Sequence, residues 1–189
     1  MKIKIIFLLV SFLGASIFAV GEEKKFAQKG TVAIQGSVGL QYAYADSTSK
    51  AFNLIVNPGI DYFIIDNLYL QSQGNLLFSS QSGRDGMLVH FSPQLGIGYA
   101  YEFNPTDFLK LQTGFRPFMN IYDTVTKSFN YLSIQYINID LIWTHILVPR
   151  VAINTGISNN FMAFSSISPS ISYPQYYMSI QLGLMYYWN

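Results

Sequence analysis

Asn53 to Leu70 reads NLIVNPGIDYFIIDNLYL. Leu54, Val56, Pro58, Ile60, Tyr62 and Ile64 fall on one side of an extended chain. Asn53, Asn57, Gly59 and Asp61 fall on the other, with Ile55 and Phe63 among them. Side chains alternate between the two faces of a strand, so this period-two spacing predicts a β-strand with one apolar and one polar side. Asp66-Asn67 tolerates the positive φ of a tight turn, and Leu68, Tyr69, Leu70, Gln71 and Gln73 restart the alternation beyond it. The stretch is a hairpin, and the rest of the chain repeats it with other residues.

Working outward, the same alternation predicts strands at Thr31–Tyr44, Phe52–Ile65, Leu68–Ser79, Met87–Phe103, Phe108–Ile121, Phe129–Thr144, Arg150–Phe164 and Gln175–Trp188. The fourth is the cleanest: Met87, Val89, Phe91, Pro93, Leu95, Ile97, Tyr99, Tyr101 and Phe103 alternate with Leu88, His90, Ser92, Gln94, Gly96, Gly98, Ala100 and Glu102. The fifth sets Leu109, Leu111, Phe115 and Met119 against Lys110, Gln112, Gly114, Arg116 and Asn120. The sixth changes phase once, which predicts a β-bulge near Tyr136-Ile137. Tight turns at Asp66-Asn67, Asn104–Asp107 and His145–Pro149 alternate with longer polar loops. Each strand is long enough for the roughly 9–11 residues that a tilted membrane strand requires.

The N-terminus carries Lys2 and Lys4, an apolar run from Ile5 to Leu13, and small residues at Gly14, Ala15, Ser16, Ala19 and Gly21. That layout predicts a secretory signal peptide over residues 1–21, cut after Ala19 or Gly21. Glu22 to Gly30 reads as a short charged lead, and residues 31–189 as one barrel domain. The absence of cysteine excludes a lipoprotein anchor, a disulfide framework and thiolate metal sites. Without Lys2 and Lys4 the formal charge is close to neutral, and no basic patch recruits nucleic acid. Charged residues are 11% and aromatics 16% of the chain. No internal run is long enough for a transmembrane helix, so an exported chain this apolar calls for a closed β-barrel, which leaves no backbone group unpaired in lipid.

Alternation alone leaves open which face points inward, because a soluble lipocalin-like barrel has the same period. The polar face here is Gln, Asn, Ser, Thr and Gly, whereas a water-facing surface is rich in Lys and Glu. Aromatics on the apolar face also gather at strand ends: Tyr42, Tyr44, Phe52, Phe78, Phe91, Phe129, Phe161 and Tyr176 near the loops, and Tyr62, Tyr99, Tyr101, Phe103, Trp143, Tyr186 and Trp188 near the turns. Two aromatic belts around an aliphatic band match a bilayer with two interfaces, so the apolar face is expected outward.

On these residues the chain resembles the small eight-stranded outer-membrane barrels of the OmpA/OmpX type. Pro58-Gly59-Ile60-Asp61-Tyr62-Phe63 with Asp66-Asn67-Leu68 is similar to the second hairpin of the broad outer-membrane β-barrel family. Gly183, Tyr186 and Trp188 are similar to the C-terminal signal read by the outer-membrane assembly machinery, with Asn189 as a departure after the last aromatic. The resemblance implies an integral protein of a Gram-negative-type outer membrane. Its partners would be the lipid bilayer and, during biogenesis, periplasmic chaperones and that machinery, and a monomer is expected.

The inward face is expected to gather Asp61, Glu102 and Asp140 against Lys110, Arg116 and Arg150, a balanced set that must pair if it is buried. Inward Phe63, Tyr69, Phe108, Phe118, Tyr177 and Tyr187 add bulk. At eight strands a lumen is only wide enough for side chains, so a plug is favoured over a narrow pore for ions or small hydrophobic molecules. His90-Phe91-Ser92 puts a base and a hydroxyl on one strand face, an HxS arrangement similar to that of lipid-A deacylases. Glu102, however, lies ten residues on, about 30 Å at strand rise, so it cannot orient His90. His145 has no second ligand at metal spacing, and Gly83-Arg84-Asp85 is read as a solvated loop tip. No catalytic, cofactor or metal residues are expected, and the role is read as structural or surface-interacting.

Overall fold

The computed structural model describes residues 26–44, 50–81, 86–117, 119–132, 134–165 and 176–188. The predicted signal peptide, the first part of the charged lead, the Gly83-Arg84-Asp85 loop tip and Asn189 lie outside them. The described residues form strands β1 (Val32–Tyr44), β2 (Lys50–Ile65), β3 (Leu68–Gln81), β4 (Leu88–Asn104), β5 (Asp107–Arg116), β6 (Met119–Asp123), β7 (Ser128–Leu132), β8 (Ile134–Val148), β9 (Val151–Ser165) and β10 (Tyr176–Trp188). Each stave pairs antiparallel with the next in sequence; β1 pairs with β10, Val32 opposite Trp188, to close the ring. β6 continues β5 along β4, and β7 leads into β8, so ten strands make the eight staves of one closed barrel.

The turns follow from local chemistry. Asn67, in the Asp66-Asn67 turn, takes a φ of 69°, which Asn adopts more readily than most residues. Asn104 Oδ1 accepts the backbone N–H groups of Thr106 and Asp107, folding Pro105-Thr106 into the next turn. The third turn is tighter than His145–Pro149: β8 runs on to Val148, and Pro149-Arg150 makes the reversal with Arg150 at a φ of 74°. His145 instead stays in the sheet, its Nδ1 2.8 Å from Asp107 Oδ1 on the neighbouring stave.

Away from the hairpin turns, two irregularities break the alternation of the described strands. The β8–β9 register shifts between Gln135 and Tyr136, and Tyr136 is buried while Ile137 is exposed, beside the expected bulge. The fifth stave breaks after Arg116, where Pro117 has no N–H to give a ladder. Phe115 faces Leu95 and Asn120 faces Phe91, so this stave carries one residue more than β4 over the same span. That correction puts the Asn120 backbone in register with outward-pointing Phe91, four residues of β4 and five of the fifth stave beyond the Leu95–Phe115 pair.

The apolar face is outside. Leu40 is 60% and Ile180 64% exposed, whereas Gln35 is 9% and Gln112 3% exposed. Ile34, Val38, Ile60, Leu95, Ile97, Leu111, Ile139, Leu182 and Leu184 continue an aliphatic band around the wall. Below it, at the turn end, Tyr62, Tyr99, Tyr101, Phe103, Trp143 and Trp188 are all exposed. Tyr101 packs edge-on to Phe103 at 5.1 Å between ring centres. Phe91 and Phe161 are exposed toward the loop end. The side chains of Tyr42, Tyr44, Phe52, Phe129 and Tyr176 lie outside the described residues. In water such a surface would be untenable, and no helix among the described residues is long and apolar enough to cross a membrane.

Candidate functional site in the barrel lumen

The turn end of the lumen is closed by an aromatic floor. Phe63, Tyr69, Phe108 and Tyr187 point inward and are buried, and the small Ala33, Ala100 and Ala152 beside them leave room for the rings. At their centre sits Phe26, from the charged lead. Its ring meets Phe63, Phe108 and Tyr187 at 5.3, 4.9 and 5.1 Å between centres, each edge to face, the favoured arrangement for ring quadrupoles. The segment is held by its backbone as well: Asn67 N donates to Ala27 O, and Gly30 N to Phe63 O. Lys29 N donates to Asp66 Oδ1. Ala27, at a φ of 67°, tolerates a left-handed conformation because both flanking contacts fix it. The end of the lead is therefore part of the barrel.

Above the floor lies an ion pair. Lys110 Nζ is 2.5 Å from Asp61 Oδ2, and both side chains are wholly buried. Gln35 serves both partners, its Nε2 donating to Asp61 Oδ1 and its Oε1 accepting from Lys110. Gln35 Oε1 also accepts from Asn154 Nδ2, and Asn154 Oδ1 accepts from the Thr144 hydroxyl. The ammonium lies 4.7 Å from the centre of the Tyr69 ring, a cation–π contact sheltered from water. Each partner's desolvation is thus met by a full charge and several dipoles, the condition under which a buried pair holds.

Further toward the loops the lining is almost all amide. Tyr69 OH and Gln71 Nε2 donate to Gln112 Oε1, Gln94 Nε2 to Gln71 Oε1, and Arg116 Nε to Gln94 Oε1. Gln112 Nε2 and Asn138 Nδ2 both donate to Asp140 Oδ2. Asn75, Asn57, Ser37 and Gln181 form a second chain of bonds. Glycines make the density possible. A Cβ on Gly98 would lie 2.4 Å from the Tyr69 ring, and one on Gly114 2.6 Å from Asn138 Oδ1. A cavity of about 20 Å³ remains among Gln35, Ser37, Asn57, Gln112, Asn154 and Gln181, room for little more than one water molecule.

No protein-family model and no curated protein matches the sequence. Solved structures do match the fold. Neisserial surface protein A aligns over 84% of this chain and 97% of its own, with a TM-score of 0.62 at 9% identity. The fold is that of the small eight-stranded outer-membrane β-barrels. The N-terminal barrel domain of Pseudomonas aeruginosa OprF aligns over 85% of this chain and 98% of its own, with a TM-score of 0.53 at 12% identity. Pseudomonas aeruginosa outer membrane protein OprG covers 86% of this chain, and 97% of its own length is matched, with a TM-score of 0.51 at 10% identity.

In this outer-membrane-type barrel the six charges expected inside divide. Asp61, Lys110, Arg116 and Asp140 are buried in the lumen. Glu102 is exposed, near the end of a β4–β5 hairpin whose register shifts between Glu102 and Asn104. Arg150 lies half-buried in its turn. Alternation carried through a hairpin end points both inward, but there the wall stops and water takes over. Of the six, the lumen thus keeps two of each sign. Ser92 is buried on β4 with His90 two residues before it, and exposed Glu102 lies near the other end of the same strand, so these three do not assemble. The side chains of Phe118 and Tyr177 lie outside the described residues. Phe26 is what sequence reasoning missed: an isolated aromatic in a charged, aperiodic segment has no spacing to betray it. The one available signal was the apolar pair Phe26-Ala27 just ahead of the first strand.

Proposed function

We propose that this chain is an integral outer-membrane protein with a plugged lumen, serving a structural or surface-interacting role without catalysis. The packed lumen carries this reading: its charges and amides bond to one another, the cavity among its amides is only about 20 Å³, and Phe26 fills its turn end. The aliphatic band and aromatic belts support insertion in a bilayer, with the tight turns on the periplasmic side and the loops outside. An N-terminal signal peptide would export the chain, and Gly183, Tyr186 and Trp188 would present the assembly signal. Asp61, Lys110, Arg116 and Asp140 serve in this reading as filler and cross-brace.

A narrow pore is the second reading, favoured by the amide-lined cavity at mid-lumen. Planar-bilayer recording on the purified barrel separates the two. A closed lumen gives no steady openings, in the native protein or in Arg116→Ala. Steady openings whose size changes in Arg116→Ala would reject the plug.

A further inference from the structure

Two of the buried carboxylates, Asp61 and Asp140, are treated differently. Asp61 has Lys110 against it. Asp140, 2% exposed, has no cationic partner among the described residues. Its Oδ2 accepts two amide N–H groups, from Gln112 and Asn138 at 2.7 Å each. Its Oδ1 accepts nothing, and neither does Asn138 Oδ1 or Asn160 Oδ1, on side chains 0% and 1% exposed.

The three side chains share one patch of the inner wall. Asn138 and Asp140 are alternate residues of β8, Asn160 stands directly opposite Asn138 on β9, and Ser158 stands opposite Asp140. Facing side chains of paired strands lie about 5 Å apart at Cβ. The amide N–H groups nearby are committed elsewhere: Asn160 Nδ2 to Ser158 Oγ, and Gln94 Nε2, across Gly114, to Gln71 and Gln73. Arg116 adds positive potential from β5, and its Nε is given to Gln94. What remains is a full negative charge and two carbonyl dipoles out of water with no donor between them, an arrangement that is costly unless something positive is bound there.

The donor set defines that ligand's class. Oxygen alone, with no imidazole or thiolate, selects hard cations over transition metals. A single carboxylate is poor for calcium, which takes six to eight oxygens and usually several carboxylates, whereas one positive charge neutralises one carboxylate. We propose that a monovalent alkali cation binds in the lumen between the Asp140 carboxylate and the side-chain oxygens of Asn138 and Asn160. The cation supplies the cross-link that Lys110 supplies lower down, and it ties β8 to β9 at mid-wall. This site does not depend on whether the lumen conducts, and it is read by stability, so its failure and that of the plugged barrel are separable.

The test is the midpoint of heat-modifiable gel migration of the purified, detergent-folded barrel in sodium, potassium or N-methylglucamine chloride at matched ionic strength. The native protein should melt about 5 °C higher in sodium or potassium than in the bulky organic cation. Asp140→Asn supplies its own N–H groups to the orphan oxygens. It should be at least as stable as the native protein in N-methylglucamine and should lose the dependence on the small cation. A native barrel indifferent to the cation would overturn the proposal, whether protonation of Asp140 or buried water serves the oxygens instead. An Asp140→Asn barrel that keeps the native response would overturn it equally.

Discussion

The two halves of this lumen solve the same packing problem in different ways. Near the turns, rings pack against rings around Phe26, and directly above them the charges meet as a pair, Asp61 on Lys110. Toward the loops, the filling is a web of Gln, Asn and Ser in which each side chain bonds to the next, and Asp140 has only amides for company. An aromatic floor stabilises by excluding water and by contact area, and each ring is hard to replace. An amide web spreads its bonds over many residues, so losing one leaves neighbours able to rearrange. The first half should therefore respond sharply to single substitutions and the second only mildly.

The largest expected effect is at the ion pair. Lys110→Met leaves the Asp61 carboxylate buried without a cation and should cost about 3 kcal/mol of unfolding free energy, measured by urea titration in lipid vesicles. Asp61→Asn in the same chain should restore most of the loss, since the uncompensated charge is then gone. If Lys110→Met alone is neutral, the pair is not what braces the lower half. Next comes Phe26→Ala, which empties the middle of the floor and should cost about 2 kcal/mol, less than a core Phe in a strand because the segment can detach as a unit. Proteolysis ahead of β1 should become faster in that variant. The smallest is Gly98→Ala, whose methyl displaces the Tyr69 ring and breaks its bond to Gln112, at the boundary between the halves. A loss of about 1 kcal/mol is expected. A larger loss than at Phe26 would mean that the boundary, and not the floor, holds the staves in register.

The wall was far more legible in the sequence than its contents. Period-two spacing is a property of each strand alone, so Leu40, Ile180, Gln35 and Gln112 could be assigned to their faces without knowing any neighbour. The bulge at Gln135-Tyr136 was visible for the same reason, as a break in one strand's own rhythm. The bulge after Arg116 was not, because Pro117-Phe118 keeps the apolar spacing superficially intact, and only the pairing with β4 exposes the extra residue. The lumen depends on which staves face one another across the axis. Asp61 and Lys110 belong to strands two and five, and nothing in either strand names the other. Glu102 and Arg150 show the limit of alternation: it tells which way a side chain leans, and not whether the wall still extends that far. Phe26 lay beyond any rhythm.

The seam where Val32 meets Trp188 joins the first strand to the last. Contacts so distant along the chain are slow to find, and until they form both β1 and β10 present a long row of bare N–H and C=O groups to any passing strand. A chain cut short before Gln175 would then be worse than merely incomplete. It would carry two sticky margins with no mate of its own, and its fate should be clumping or degradation, in contrast to a smaller barrel.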